Sequence, residues 1–336
     1  MLAKMGTRAV LFERQRETGD ALCGGFLSWR SLDALRHLGI ELENGHSVEH
    51  LRLFSGKQTA QAPLPQRAIG LSRHYLDQLL IDKARAMGAG VEVGIIAKSW
   101  VDKQIILSDS ASFAPETMFL ATGKHDVNGL GRPRDADQTL GLRIRLRPGP
   151  TLVRLVGGAI ELHFFERGYC GIVLQENGQG NLCLAVRKSR FAQAASDPTV
   201  LLSQWADESP AFGDRLAFKT GTPDAIGAVP YGWVAKQAVP GVFRLGDQAA
   251  VIPSLAGEGN AIAIASGMMA AKSWAAGESS QHYQQGLARA VARPMALARI
   301  IWRLSEAPAS AHILTRLAGI VPWLAGHLAG QTRIRH

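Results

Sequence analysis

The residues best suited to chemistry in this sequence follow a short strand in its C-terminal third. Residues 242–245 read as a strand, and Gly246 and Asp247 come directly after it. A glycine lets the backbone approach a ligand closely, and the aspartate can accept a hydrogen bond from a ribityl hydroxyl. Gly257 and Gly259 then open a helix, whose first N–H groups suit a pyrophosphate or the electron-rich edge of a reduced flavin. An ordinary strand–loop–helix connection is the alternative interpretation.

An acidic residue ends a second short strand, near the N terminus. Residues 8–13 read RAVLFE, and residues 2–6 before them are typical of the last turn of a helix closed by a glycine. In a dinucleotide-binding βαβ unit the second strand ends in an acid that accepts hydrogen bonds from the ribose hydroxyls. Glu13 has that position, although a solvated glutamate at a strand end fits as well.

Other kinds of catalytic site find little support in the residue pattern. No G-x-S-x-G sequence surrounds a serine, and Ser266 lies inside a predicted helix. The cysteines, which are Cys23, Cys170 and Cys183, are odd in number and widely spaced, which argues against a disulfide framework and a zinc site. The ten histidines show no metal-binding spacing. We therefore expect no metal and reduced thiols.

The composition indicates a globular protein of about two domains. Hydrophobic residues make up 46% of the 336 and charged residues 19%, and the formal net charge is +9. The basic residues are scattered without interleaved aromatics, so we expect no nucleic acid partner. A solvated basic surface or an anionic ligand accounts for the charge. No segment reads as a signal peptide and the apolar run 317–326 is too short to span a membrane, so we expect a soluble, cytoplasmic protein.

Helical and strand patterns are mixed throughout the chain. Residues 72–88 form the clearest amphipathic helix, and residues 28–39 and 259–276 also read as helices. Residues 140–186 are rich in strand patterns, with a hairpin turning near Gly178. Further strands are predicted at 51–54, 59–62, 91–107 and 117–121, and a short helix at 199–207. A β-rich middle between two α/β parts indicates a discontinuous first domain.

The tail from residue 281 onward reads as helices broken near Pro294, Pro308 and Pro322. Its large apolar side chains are interleaved with arginines, as in a basic amphipathic helix at a membrane surface. Packing of these helices on the rest of the protein is the alternative, so peripheral membrane contact stays open at this stage.

Residues 246–271, GDQAAVIPSLAGEGNAIAIASGMMAA, resemble the second flavin-binding motif of FAD-dependent monooxygenases related to p-hydroxybenzoate hydroxylase. They are particularly similar to the branch that includes geranylgeranyl reductase-like proteins. Four other segments match in the expected order, and with them the resemblance covers about residues 1–275. These segments are RAVLFER at 8–14, LCGGFLS at 22–28, SRHYLDQLLIDKA at 72–84 and FLATGKHD at 119–126.

The resemblance implies FAD as the cofactor and a set of residues that hold it. This set is Glu13, Arg14, Cys23, Gly24, Arg73, Ala121, Thr122, Gly123, Gly246, Asp247, Pro253, Gly257, Gly259 and Asn260. A buried small thiol is the alternative for Cys23. Tyr169 and Trp233 are candidates for contact with the substrate, and packing is the alternative for both. The sequence assigns no catalytic acid or base.

The fold that the resemblance implies is α/β, or α+β overall. A discontinuous, three-layer Rossmann-like FAD-binding domain would carry an inserted, mainly antiparallel substrate sheet and C-terminal helices. Residues 1–138 would form the first part of the FAD-binding domain, with 49–70 joining the substrate domain. Residues 139–232 would form the substrate domain, 233–280 the second part of the FAD-binding domain, and 281–336 a C-terminal helical region.

The activity implied is that of an FAD-dependent oxidoreductase reduced by NAD(P)H. Hydroxylation of a hydrophobic or aromatic metabolite is the first expectation, and reduction of an isoprenoid or polyketide double bond is the enzymatic alternative. A flavin-free binding protein or pseudoenzyme is the alternative from another class.

The sequence departs from the family pattern in one respect. Family members begin with a strand and a GxGxxG loop that cradles the FAD pyrophosphate, and no GxGxxG occurs in this sequence. Roughly 20–25 residues of the usual βαβ unit are missing. The expectation is an N-terminally truncated sequence, or one in which FAD binding is weakened or lost. Because the missing strand would be buried on both faces, we also expect exposed apolar surface and a destabilised domain.

Overall fold

The computed structural model describes residues 1–133 and 137–334. The strands in those ranges are β1 Val10–Glu13, β2 Phe26–Leu27, β3 His46–Ser55, β4 Gln58–Gly70, β5 Gly90–Val93, β6 Ala97–Val101, β7 Gln104–Leu107, β8 Ser112–Phe113, β9 Met118–Leu120, β10 Thr139–Leu146, β11 Gly158–Phe165, β12 Gly168–Leu174, β13 Gly180–Arg187, β14 Lys219–Val229 and β15 Val242–Arg244. The helices are α1 Trp29–His37, α2 Arg73–Ala86, α3 Pro150–Val156, α4 Lys188–Gln193, α5 Pro198–Glu208, α6 Pro210–Leu216, α7 Gly259–Ala275, α8 Ser280–Ser305, α9 Pro308–Ile320 and α10 Pro322–Gln331.

The largest element is an eight-stranded sheet in the order β14-β10-β13-β12-β11-β3-β4-β2. Its neighbouring strands are antiparallel except for β11 and β3, which are parallel. The predicted hairpin is confirmed, since Ile172 of β12 pairs with Leu182 of β13. Strands β3 and β4 are longer than predicted, and β3 pairs with β11 while β4 pairs with β3 and β2. The division of the chain into domains remains a prediction.

The two faces of this sheet pack against different elements, because successive strand residues point to opposite sides. On one face, Phe165 stacks on Trp205 of α5 with ring centroids 4.2 Å apart, and Phe212 of α6 lies against both rings. On the other face, Leu162 and Phe164 pack in a separate buried cluster with residues of α8 and α9. Burial on both faces explains why these strands read as continuous apolar runs.

Two short parallel pairs lie outside the large sheet, β1 with β5 and β9 with β15. The pair of β9 and β15 carries the two segments that lead into Gly123 and Gly246. In β1, Val10, Leu11 and Phe12 are all exposed, although successive residues of a strand face opposite sides. Both faces of β1 therefore carry exposed apolar side chains.

The predicted helices form, with one difference in the tail. Ser72 caps α2, since its hydroxyl accepts a 3.1 Å hydrogen bond from the Tyr75 N–H. The predicted breaks at Pro308 and Pro322 are confirmed, because each proline begins a helix. The predicted break at Pro294 is wrong, because α8 continues through it. Val291 and Met295 beside that proline are buried, so tertiary packing holds the helix together there.

Candidate functional site

A cavity of about 470 Å³ lies between the α9 side of the large sheet, the β15–α7 segment and the C-terminal helices. This volume is within the range of small-molecule sites, and the walls are mostly apolar. Five separated segments supply the predicted site residues that line it. Those residues are Cys23, Gly24, Arg73, Ala121, Gly123, Tyr169, Gly246, Asp247, Gly257, Gly259 and Asn260.

The turn after β15 presents an aspartate to the cavity. Gly246 has a φ of 52°, and its N–H donates to the Ser266 hydroxyl at 2.8 Å, which fixes the turn against α7. The backbone oxygen of Asp247 accepts a 2.8 Å hydrogen bond from Arg132. Among the described residues the Asp247 carboxylate has no hydrogen-bond partner, so its oxygens are available to ligand hydroxyls.

The helix that follows, α7, points its N terminus at the same cavity. Its N-cap residue, Glu258, makes no capping bond, because its carboxylate is bound by Arg333 at 2.5 Å and by the Ile334 N–H at 3.2 Å. The first N–H groups of α7 therefore lack a side-chain cap, and they carry the positive end of the helix dipole. A Cβ added at Gly259 would meet nothing within 4 Å, so the space beside this helix end is open.

The loop of residues 20–24 forms another wall, and side chains of other elements hold each of its five carbonyl oxygens. Arg143 donates to the oxygens of Asp20 and Ala21 at 2.7 and 3.0 Å. Lys124 donates to the Leu22 oxygen at 2.6 Å. The Asn181 amide donates to the oxygens of Cys23 and Gly24 at 3.0 and 2.9 Å. The Cys183 thiol also donates to the Cys23 oxygen at 3.0 Å. The loop is thereby fixed to β10 and β13.

These holding residues were not identified from the sequence. Arg143, which is one of them, and Arg145 lie on β10 and belong to the scattered basic residues of the sequence. In the structure both contact Asp20, whose carboxylate also accepts a 3.2 Å hydrogen bond from the N–H of Arg73 at the start of α2. Asp20 thus neutralises part of the charge of these two arginines inside the protein, and no pattern within the sequence indicated this partner.

Arg73 lines the cavity with its guanidinium already paired. It donates two hydrogen bonds of 2.8 Å to the Asp77 carboxylate, one turn further along α2. Burial alone would lower the pKa of Arg73, but Asp77, with smaller contributions from Cys23 and Asp247, raises it above its ordinary value. The arginine is therefore a fixed positive charge beside the aspartate of the Gly–Asp turn.

Glu13 lies outside the main cavity and lines a second one, of about 370 Å³. Its carboxylate accepts a 2.9 Å hydrogen bond from the Gln15 N–H, which turns it toward that space. His74 of α2 lines the same cavity, while its neighbour Arg73 lines the main one. The two cavities therefore lie on two sides of the first turn of α2, and both contain predicted site residues.

Four predicted residues line neither cavity. Arg14 is exposed after β1, and the Thr122 hydroxyl is used in a 2.6 Å bond to the His125 oxygen. Pro253 is buried between two cavity-lining residues. Trp233 is half-buried and packs toward Arg244, whose guanidinium carbon is 6.0 Å from the ring centroid. For Trp233 this position favours the packing alternative.

Three hydroxyl groups gather on the wall of the main cavity. Tyr169 and Tyr231 each form a hydrogen bond with the Ser254 hydroxyl, and the bond of Tyr231 is 2.6 Å long. Burial raises the pKa of both phenols, so they stay protonated at neutral pH. The sequence indicated Tyr169 alone. The residues that the structure describes contain no cluster of three or more metal-ligating side chains.

No protein-family model and no curated protein matched the chain. Solved structures did match over most of its length. PqsL of Pseudomonas aeruginosa, in complex with 2-aminobenzoylacetate, is 13% identical, with a TM-score of 0.69 over 93% of this chain and 94% of that one. A geranylgeranyl bacteriochlorophyll reductase-like protein of Thermoplasma acidophilum is 16% identical, with a TM-score of 0.75 over 94% and 86%. The halogenase PltM is 13% identical, with a TM-score of 0.75 over 98% and 78%.

A second PqsL structure is described as a probable FAD-dependent monooxygenase, at 14% identity and a TM-score of 0.68. The chain therefore has the mixed α/β fold of flavin-dependent monooxygenases, halogenases and reductase-like proteins. The fold class predicted from the sequence is confirmed.

Proposed function

We propose that the chain is an FAD-dependent oxidoreductase and that its main cavity receives the flavin ring together with the substrate. Two features on one cavity wall carry this proposal. One is the Asp247 carboxylate, which has no hydrogen-bond partner among the described residues, and the other is the uncapped N terminus of α7. One group offers hydrogen-bond acceptors and the other a positive dipole end. The hydroxyls of a ribityl chain need hydrogen-bond acceptors, and the electron-rich edge of a flavin needs a positive dipole end.

The residues present fit FAD at its flavin end. The Asp247 carboxylate would accept from ribityl hydroxyls, and the α7 N–H groups would face the pyrimidine edge of the ring. The fixed loop 20–24 and the open space at Gly259 leave room for a flat ring. At the adenosine end, Glu13 would bind the ribose in the second cavity. The domain division predicted from the sequence belongs to this proposal.

The fit is incomplete at the pyrophosphate. No GxGxxG occurs in the sequence, and that loop normally supplies the N–H groups for this part of FAD.

The reaction proposed is hydroxylation of a hydrophobic or aromatic substrate, with NAD(P)H as the electron donor. A bound flavin would supply the redox chemistry, and the protein would supply orientation and exclusion of water. Leu53, Leu162 and Phe164 form apolar walls for such a substrate. Tyr169, Tyr231 and Ser254 would donate or accept hydrogen bonds at its polar group. Reduction of an isoprenoid or polyketide double bond is the alternative reaction in the same cavity.

A second candidate function is a flavin-free protein that binds an apolar ligand, which the mostly apolar walls of the main cavity favour. The test is a titration of the purified full chain with FAD and with riboflavin, followed by gel filtration and visible spectroscopy. We expect flavin absorbance to co-elute with the protein, and NADH or NADPH to bleach it. A chain that takes up neither flavin, but binds a fluorescent apolar probe in the cavity, supports the second candidate and contradicts the first.

A further inference from the structure

The bend between α9 and α10 exposes five large apolar side chains. We call this set the bend surface. It consists of Ile313, Leu317, Ile320, Trp323 and Leu324. Trp323 is 69% exposed and Ile320 is 65% exposed, so most of the apolar surface of each residue stays in contact with water. Apolar residues so close along the chain and so exposed mark an interaction surface rather than scattered surface residues.

The inner sides of the same two helices are fixed to the large sheet. Ala311, Thr315 and Ala318 of α9 are buried, and so is Gly326 of α10. A Cβ at Gly326 would lie only 2.5 Å from the Pro63 oxygen of β4, so this helix touches the sheet backbone. The helices therefore present only their outer sides to a partner.

This attachment favours a position of α9 and α10 at the surface of a bilayer over one across it. Among the described residues no single helix has the length and hydropathy to cross a bilayer, while α9 and α10 together do so by length and composition. They are bent by 112° relative to each other. Two helices bent in this way and attached to a sheet can reach only the surface layer of a bilayer.

The charge of the C-terminal helices, which carry the bend surface, indicates the kind of partner. Residues 281–336 contain seven arginines and one acidic residue, Glu306. Arg187 neutralises Glu306 through hydrogen bonds of 2.6 and 3.0 Å. Arg299, Arg303 and Arg316 are exposed. Apolar side chains with a tryptophan and exposed arginines match an anionic lipid surface, in which the apolar groups enter the headgroup layer and the arginines meet the phosphates.

The bend surface is continuous with the main cavity. Leu317 and Leu324 belong to the bend surface and also line the cavity, together with Val321 between them and Leu328 on α10. A ligand that leaves the acyl region of a bilayer at the bend would therefore reach the cavity past apolar side chains, without crossing water.

We propose that the bend surface docks the protein on an anionic phospholipid bilayer and that the cavity receives its lipophilic ligand from that bilayer. Docking does not depend on flavin. The statement about the ligand rests on the proposed function, since it names the substrate class of the same cavity.

Docking is tested with the full chain and vesicles of phosphatidylcholine alone or with phosphatidylglycerol, by flotation and by tryptophan fluorescence. We expect flotation with the anionic vesicles and a blue shift of the emission. The double variant Ile320→Gln/Trp323→Gln should weaken binding by at least about tenfold, because it removes two apolar groups from the lipid. Arg303→Gln and Arg316→Gln should each weaken binding to the anionic vesicles about fivefold. Added salt should also weaken this binding, because it screens the charges.

Val101→Gln is the matched control, because Val101 is 50% exposed on the β6–β7 hairpin, outside the C-terminal helices. It should bind vesicles like the unchanged protein. All these positions are exposed, so thermal unfolding should be unchanged in every variant. Equal flotation of the double variant, or no flotation of the unchanged chain, overturns docking. A dimer in analytical ultracentrifugation that Ile320→Gln/Trp323→Gln dissociates, without vesicle binding, assigns the surface to a second copy instead.

The route of the ligand is tested separately from flavin binding. A fluorescent long-chain alcohol held in anionic vesicles should transfer to the cavity of the unchanged protein, and at least about tenfold more slowly to Ile320→Gln/Trp323→Gln. Transfer at equal rates contradicts the route. Failure of FAD uptake with normal transfer contradicts only the proposed function.

Discussion

Arg73 and Asp77 form a two-bond ion pair across one turn of α2, with both bonds at 2.8 Å. The pair lies at the wall of the main cavity and holds the guanidinium in one orientation. A bidentate pair loses less entropy on ligand binding than a free arginine does, because the side chain is already ordered. Asp77 is therefore a positioning residue for the charge that Arg73 presents to a cofactor.

Replacement of this arginine should separate a cofactor role from a structural one. Arg73→Gln removes a charge-assisted contact with FAD, and we expect affinity to fall about 10- to 100-fold. Asp77→Asn leaves the arginine in place but less ordered, so the loss should be less than about tenfold. A fluorescence titration with FAD measures both. Arg36→Gln, which removes the exposed pair with Asp33, is the control. Equal affinities for Arg73→Gln and the unchanged chain contradict the role.

The sequence predicted those parts of the site that depend on local backbone geometry. Gly246 and Gly257 have positive φ, so glycine identified their turns, and the helix pattern located α7. Contacts between distant segments could not be predicted. Asn181 is 157 residues from Gly24, and Tyr231 meets Tyr169 only through Ser254. Nothing in the local pattern of either segment encodes these pairings, because they arise from sheet register and tertiary packing.

Two glycines in one turn of the site should respond differently to the same substitution. Gly257 has a φ of 68°, and a Cβ there would lie 2.8 Å from the Phe26 ring, so Gly257→Ala should destabilise the protein by about 1–3 kcal/mol. Gly259 begins α7 beside open space, so Gly259→Ala should leave stability unchanged or raise it by up to about 1 kcal/mol. Urea denaturation measures both.

The Gly259→Ala variant also tests the ligand site, because its methyl group enters the space assigned to the flavin. We expect FAD affinity to fall by at least about tenfold while stability is kept, since even small overlaps in a packed site are costly. An unchanged affinity would place the flavin away from the α7 N terminus.

Asn181 should control the order of the loop at residues 20–24. Its amide donates to the oxygens of both Cys23 and Gly24, and Asn181→Leu leaves both without that donor. We expect a loss of about 1–3 kcal/mol in stability and weaker FAD binding. Hydrogen exchange measured by mass spectrometry should show faster exchange in the peptide that covers residues 20–25. Peptides of α5 on the other sheet face should exchange as before, and a uniform increase would contradict a local effect.

Glu161 is the centre of a buried charge network on the sheet face that packs against α6. Arg215 donates two hydrogen bonds of 2.9 Å to it, and His163 lies 3.3 Å away. Burial alone would raise the pKa of Glu161, but the bonds from His163 and Arg215 lower it to about 2. Burial also lowers the pKa of His163 below its usual value, although Glu161 opposes this.

These shifts predict an acid-sensitive fold. A depressed carboxyl pKa stabilises the folded state above the unfolded value of 4.5, and this stabilisation is lost as pH falls toward 2. The depressed His163 pKa acts in the same direction below its unfolded value of 6.5, because the folded state resists its protonation.

Glu161→Gln leaves Arg215 buried without its charge partner, so we expect a loss of about 3–5 kcal/mol at neutral pH. Urea denaturation between about pH 3 and 7 should show a weaker pH dependence in this variant than in the unchanged chain. Asp33→Asn, at an exposed pair, should cost less than about 1 kcal/mol, and a similar loss in both variants would contradict the network's role.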